Sequence, residues 1–308
     1  GSTVQNPLPL PPYLDVDNTR RVGDSVSNLT GVLGYAFGVY EVHPTAAVNF
    51  VRENERPLGP PDVGGSLVTV AGFNVLNYFT TLDGSGPICG PNADQGCRGA
   101  DSVEEFDRQK AKLVSAITKL DADIVGLTEL ENAADNTPIA DLVDGLNDVV
   151  GTGTYDYIDT GAIGSDAIRQ GFIYKPSNVM PMGGFAILDN TVDPDFNDDR
   201  NRPVLAQTFQ ENTSGERITV AVNHLKSKGS ACDAIGDPDT GDGQGNCNLT
   251  RTYAALALVD WLATDPTASG DSDFLIIGDL NAYALEDPVM VIEAGGYTDL
   301  IKTFVGTG

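Results

Sequence analysis

From Ser66 onward the chain switches repeatedly between two hydrophobic periods. Short β-branched or aromatic runs predict strands: LVTVAGFNVLN (Leu67–Asn77), DIVGLTEL (Asp123–Leu130), GFIYK (Gly171–Lys175), Val204–Phe209, Arg217–His224 and the FLIIG of Asp273–Asn281. Segments with apolar residues three and four apart predict helices at Ser102–Leu120, Ile139–Val149, Asn248–Thr264 and near Pro288–Ala294. In the first of these, Phe106, Leu113, Ile117 and Leu120 share one side, and Ser102 with Glu105 forms a capping-box pattern. FLIIG is apolar at every position before its glycine, the pattern of a strand buried on both faces. The runs at 204–209 and 217–224 pair as a hairpin across the turn at Asn212–Gly215. Hairpins interleaved with helices exclude a purely parallel sheet and favour two sheets packed face to face with helices outside.

The region before Ser66 has a different texture. Residues 1–14, rich in Pro, Leu and Asn, read as an extended lead-in. Val22–Phe50 alternates in short segments, too few strands to bury a core alone. The Pro/Gly stretch at 58–65 separates residues 1–57 from a main domain at 66–308. Gly1-Ser2 reads as a scar of recombinant cleavage, so a signal peptide would already be gone.

Charge sharpens this picture. There are 18 Lys and Arg against 44 Asp and Glu, a net charge of −26 across 308 residues. A field of that sign repels polyphosphate, so a nucleic-acid substrate would require bound cations or local basic groups. Four cysteines fall in two local pairs, Cys89 with Cys97 and Cys232 with Cys247, and neither of the two histidines lies in those loops. Two disulfides and an oxidising, extracellular compartment follow better than a metal site. The segment DPDTGDGQG places Asp237, Asp239 and Asp242 on a Gly-rich turn, either a solvated loop or a structural Ca²⁺ site. No apolar run is long enough to span a membrane.

The candidate chemistry sits at strand ends. Asp279 and Asn281 follow FLIIG with one residue between them, so on an extended backbone they share a face. A carboxylate and an amide held there can take a divalent cation and phosphoryl oxygens, although the same pair also makes ordinary Asx-turns. Asn74 ends one strand, Glu129 another and His224 a third, while Arg169 precedes GFIYK. Singly, each has an ordinary reading: a loop hydrogen bond, an exposed carboxylate, a packed imidazole, a surface ion pair.

Taken together and in this order, the segments FNVLNYFTT, DADIVGLTELEN, IYKP, NHLKSKGS, GQGNCNLTR and GDLNAY resemble the endonuclease/exonuclease/phosphatase superfamily. That superfamily includes pancreatic deoxyribonuclease, and the chain is most similar within it to secreted bacterial extracellular nucleases. The segment VGDSVSNLTGVLGYAFGVYEVHP also looks like the tail of a small β-domain that precedes such nucleases. The resemblance implies an α/β fold, a four-layered sandwich of two packed mixed sheets flanked by helices, with the site at one edge of both sheets. It implies that Asn74 and Glu129 hold a catalytic Mg²⁺ or Mn²⁺. His224 would contact the scissile phosphate or protonate the leaving oxygen, Asp279 would orient or deprotonate water, and Asn281 would stabilise phosphoryl charge. Arg169 joins this set, and Asp166 is the nearest counterpart of the acidic partner such a histidine has.

The implied activity is hydrolysis of DNA, with RNA a further substrate. A phosphatase or phospholipase of the same fold is one alternative, and a non-catalytic, Ca²⁺-stabilised extracellular module is another. The superfamily also closes with two elements carrying an Asp and a His. Here the sequence stops at Gly308, and His43 lies too early in the chain to serve. The expectation is that a C-terminal segment or a second chain completes the sheet and supplies both residues.

Overall fold

A computed structural model describes residues 21–306 apart from positions 56, 58 and 85. The lead-in expected over residues 1–14 lies outside the described residues. The chain divides into two compact units, residues 1–61 and 62–308.

The first unit contains β1 (Ser25–Val26), β2 (Gly31–Ala36), β3 (Val39–Pro44) and β4 (Phe50–Val51). β1 pairs antiparallel with β4, and β2 with β3. Phe37 and Gly38, both at positive φ, form the two-residue turn that matches the twist of a hairpin.

The second unit opens with β5 (Val70–Tyr78), β6 (Pro87–Cys89), β7 (Gln95–Gly96) and α1 (Val103–Leu120). Next come β8 (Ile124–Glu131), α2 (Thr137–Val150), β9 (Asp156–Tyr157), β10 (Ile168–Tyr174) and β11 (Val179–Leu188). β12 (Arg202–Glu211), β13 (Arg217–His224), α3 (Asn248–Leu262), β14 (Phe274–Asp279), α4 (Asp287–Ala294) and α5 (Leu300–Phe304) follow. One sheet runs β5-β8-β10-β9 and the other β11-β12-β13-β14. Both are mixed, because β5 lies parallel to β8, β13 lies parallel to β14, and the remaining pairs are antiparallel.

Three apolar layers hold this stack together. Val125, Leu127 and Leu130 of β8 pack against Val114 and Ile117 of α1 and Ile139 and Leu142 of α2. Ile124, Phe172, Phe209, Val220 and Val222 fill the space between the sheets. Val204 and Ala221 meet Ala254, Leu258 and Trp261 of α3 and Ile292 of α4. The order helix, sheet, sheet, helix is therefore a four-layered α/β sandwich. At Gly126 the sheets leave no room for a side chain, since an added Cβ would lie 2.5 Å from Ile277 Cδ1 and 3.2 Å from Val222.

Several expectations shift in detail. Ser102 caps α1 by accepting from the Glu105 N–H, but the Glu105 carboxylate returns to the Asp101 N–H, one residue before the cap. β11 lies in VMPMGGFAIL, which the hydrophobic pattern passes over. It is an edge strand with an irregularity between Met182 and Ala186, a place where proline and paired glycines are tolerated. β14 is also an edge strand and only half-buried, so its apolar run does not mark a strand covered on both faces. Both local cysteine pairs are bonded, Cys89–Cys97 and Cys232–Cys247.

Candidate active site

The regular parallel pairing of β5 with β8 breaks after Asn74, and that of β13 with β14 ends at His224 and Asp279. β5 and β8 place Asn74 beside Thr128, one residue before Glu129, while β13 and β14 place His224 opposite Asp279. β5 and β14 are edge strands of their respective sheets and lie in contact, so their ends share one rim of the sandwich.

Local backbone geometry turns the side chains into that rim. Leu127 and Leu130 both face the helices although they are three residues apart, a phase change absorbed by Glu129 at φ 65°. Leu76, Asn77 and Asn281 also have positive φ. Non-glycine residues in this region carry strain, which clusters where surrounding contacts enforce a functional geometry. Gly278 permits the closest approach: a Cβ there would lie 2.1 Å from the Asn223 carbonyl oxygen.

Asn74 organises the cluster. Its Oδ1 accepts from the Leu76 N–H at 2.8 Å, which aims its Nδ2 at Glu129 Oε1 (2.9 Å) and Asp279 Oδ2 (3.4 Å). The Asn77 N–H donates to the other Glu129 oxygen at 2.9 Å. His224 Nε2 stands 4.0 Å from both Glu129 Oε1 and Asp279 Oδ2. Burial pushes the imidazole down to about 4, with the Arg202 charge acting in the same direction and both carboxylates opposing it. Asn281 donates from Nδ2 to the Leu225 carbonyl at 3.0 Å, and its N–H donates to Asp279 Oδ1 at 2.9 Å. One hydrogen of the Asn281 amide remains for another acceptor.

A carboxylate pair, two amides and a neutral imidazole at one sheet rim are groups suited to phosphoester chemistry. Residues 72–306 match the Endonuclease/Exonuclease/phosphatase family. The chain belongs to that family. Its members are hydrolases of phosphoester bonds and typically use divalent metals. A search of curated proteins finds no match. Among solved structures, a family protein from Bacteroides thetaiotaomicron is similar at 17% identity, covering 74% of this chain and 69% of that one, with TM-score 0.49. A mannosyl-6-phosphatase from Bacteroides thetaiotaomicron VPI-5482 is similar at 17% identity, covering 74% and 71%, with TM-score 0.48. The human Nocturnin catalytic domain with bound sulfate aligns at 18% identity over 63% of each chain, with TM-score 0.41.

Within this family member the donor set fits a hard cation. Glu129 and Asp279 bring two carboxylates to the same amide nitrogen, and oxygen donors of this kind suit Mg²⁺ or Mn²⁺, which retain several waters. Among the described residues no group of three or more His, Cys, Asp or Glu gathers as a metal cage. The three aspartates of the acidic loop serve other ends. Both Asp237 oxygens cap α3, accepting from the Leu249 N–H at 3.1 Å and from the Thr250 N–H and hydroxyl at 2.8 and 2.7 Å. Asp239 and Asp242 each close an Asx-turn, onto Gly241 and Gln244. The loop thus has the arrangement of the solvated-turn alternative, with its buried carboxylate used as a helix cap.

Two expected site residues lie apart from the cluster. Arg169 is fully buried on the helix-facing side of β10, opposite Leu130. Its guanidinium donates to the Thr160 hydroxyl (3.0 Å), the Gln170 carbonyl (3.0 Å) and Asn136 Oδ1 (3.2 Å). Burial pulls its proton affinity down to about 10. Asp166 is held by Arg98 at 2.6 Å and Arg202 at 2.8 Å rather than by His224. Burial would raise its carboxyl, but the two arginine charges outweigh that and hold it low. Asp166 acts on the imidazole as a nearby charge and through its bond to Arg202, which pairs with His224 across β12 and β13.

The hydrophobic pattern carries no mark of Arg202, Asn223 or Arg251. Asn223 is buried beside His224, donating to the Ala221 and Ile277 carbonyls. Arg251, fully buried, donates to the Lys226, Asn246 and Gln244 carbonyls and so fastens the Cys232–Cys247 loop to the segment after β13. GQGNCNLTR, which as a sequence belongs to the resemblance, is here an architectural support.

Proposed function

We propose that this chain is a secreted, metal-dependent phosphodiesterase that hydrolyses DNA, and RNA as a second polynucleotide, by in-line attack of water. The observation that carries the reading is the convergence of Asn74, Glu129, His224 and Asp279 from both sheets. A divalent cation held by Glu129, and by Asn74 with its amide turned so that the oxygen faces inward, would supply Lewis-acid charge to a phosphoryl oxygen. Asp279 orients the water and accepts its proton as the P–O bond to the departing sugar oxygen breaks, and that oxygen takes a proton from solvent. The free Asn281 amide hydrogen and the neutral His224 N–H donate to phosphoryl oxygens as negative charge develops on them. Asn74 fixes the separation of the two carboxylates, while the Asp166–Arg202 pair braces the strand behind His224.

Local cations offset the field of an acidic chain. Lys226 lies within electrostatic reach of Arg200, Arg202 and Arg251, whose charges add to burial in lowering its proton affinity. The Arg200 side chain has no ion pair among the described residues. Of these cations, Arg200 and Arg202 are partly exposed, and they are the local basic groups a polyanionic substrate would use. Two disulfides are compatible with an extracellular setting, and no described helix is long and apolar enough to cross a membrane. The outer edge of β14 has no strand neighbour among the described residues, and we read it as the place where a further segment or a second chain pairs.

The test is nicking of supercoiled plasmid DNA in Mg²⁺, then in EDTA, by this chain alone and with a C-terminally extended form. Asp279→Ala and Glu129→Ala run alongside. Scission that needs Mg²⁺ and falls at least about 10²-fold in either variant supports the reading. Phosphate release from monoesters without DNA scission, or scission unaffected by EDTA, would replace it.

A further inference from the structure

We infer that Tyr283 is a stacking platform for a nucleobase next to the scissile phosphate, so that this site selects base-bearing strands over small phosphoesters. The inference rests on the phosphodiesterase reading above and deepens it. Tyr283 lies two residues beyond Asn281, whose left-handed backbone (φ 49°) follows the end of β14. The residue is 77% exposed. Yet its position is fixed. The Glu286 N–H donates to the Tyr283 carbonyl at 2.9 Å, closing a turn directly before α4. Lys228 Nζ sits 4.6 Å from the ring centroid, covering one face.

That lysine is itself held from two sides. Its ammonium pairs with the buried Glu286 at 2.5 Å, and its carbonyl accepts from Asn246 Nδ2 at 3.0 Å beside the Cys232–Cys247 bridge. The ring is therefore backed by a cation while its other face stays in water. Among the exposed aromatic residues described in residues 62–306, Tyr283 alone lies within two residues of the candidate site; Phe185, Tyr253 and Phe304 do not. A fixed, solvated ring beside a phosphate site is what a base needs in order to stack, and stacking accepts any base because each has a π-face. A sugar phosphate or a lipid headgroup offers no such face.

The test compares two phosphorothioate-linked single strands of equal length in Mg²⁺, one with bases and one with tetrahydrofuran abasic sites, by fluorescence anisotropy. Wild-type chain is expected to bind the base-bearing strand more tightly. Tyr283→Ala should weaken that binding on the order of tenfold, within the range for losing one stacked base, and leave abasic binding unchanged. Tyr283→Phe keeps the ring and should keep the preference. Equal affinity of wild-type chain for both strands, or an equal loss on both in Tyr283→Ala, would overturn the stacking role while leaving phosphodiester hydrolysis standing. Failure of wild-type chain to bind either strand, together with intact plasmid, would remove both readings.

Discussion

Replacing Asp279 with Asn should stabilise the protein while disabling it. The Asp279 and Glu129 carboxylates both lie within 3.4 Å of Asn74 Nδ2, which puts them within about 6 Å of each other. At that separation two like charges repel by roughly 3 kcal/mol at an effective dielectric of about 20, and by roughly 0.7 kcal/mol in water. The Asp279 side chain is 37% exposed and that of Glu129 is 16% exposed, so screening favours the lower part of this range. A gain of about 1 kcal/mol follows for Asp279→Asn without divalent cation, equivalent to a rise of about 2–4 °C in Tm for a domain of this size. The substitution keeps an oxygen to accept the Asn281 N–H. Thermal unfolding in EDTA measures the effect, and 1 M NaCl should shrink it. In Mg²⁺ the difference should narrow, because a cation bound at Glu129 would offset the repulsion that Asp279→Asn relieves and would stabilise the wild-type fold by mass action. DNA scission should fall at least about 10²-fold. A variant that melts at or below wild type in EDTA would refute the picture of two unneutralised carboxylates facing each other.

Arg169→Met should lower stability by about 2–3 kcal/mol, since it orphans the Thr160, Gln170 and Asn136 acceptors, and leave the kcat of folded protein unchanged. Denaturant titration beside kinetics decides this, and a large fall in kcat at wild-type stability would return Arg169 to the site. Asp237→Ala should cost about 1–2 kcal/mol through loss of the α3 cap. Ca²⁺ should not move the wild-type Tm, and a Ca²⁺-induced rise that Asp237→Ala abolishes would restore the metal loop.

The main elements were legible because they obey local rules. Strand and helix periods, the proline stops and the turn at Asn212–Gly215 depend on neighbours a few residues away, and these located the sheets and helices of the sandwich. β11 escaped because its proline and paired glycines suit an edge, and edge position is a property of the sheet rather than of the segment. The burial of FLIIG was misread for the same reason: an apolar run does not reveal whether a second strand covers it.

In the candidate site, sequence alone placed Asn74, Glu129, His224, Asp279 and Asn281 at strand ends, whereas Asn74 and Glu129 lie inside β5 and β8 where the regular pairing breaks. Their meeting depended on two parallel pairs from different sheets sharing one rim and on left-handed backbone at Glu129 and Asn281. Arg169 and Asp166 show the limit most clearly. The sequence fixes their chemical type, but strand phase turned Arg169 toward the helices, and pairing across β12 and β13 gave Asp166 to Arg202. Side-chain chemistry and local period are written in the chain itself. Which charges face each other is decided by register and layer packing, which join residues more than a hundred positions apart.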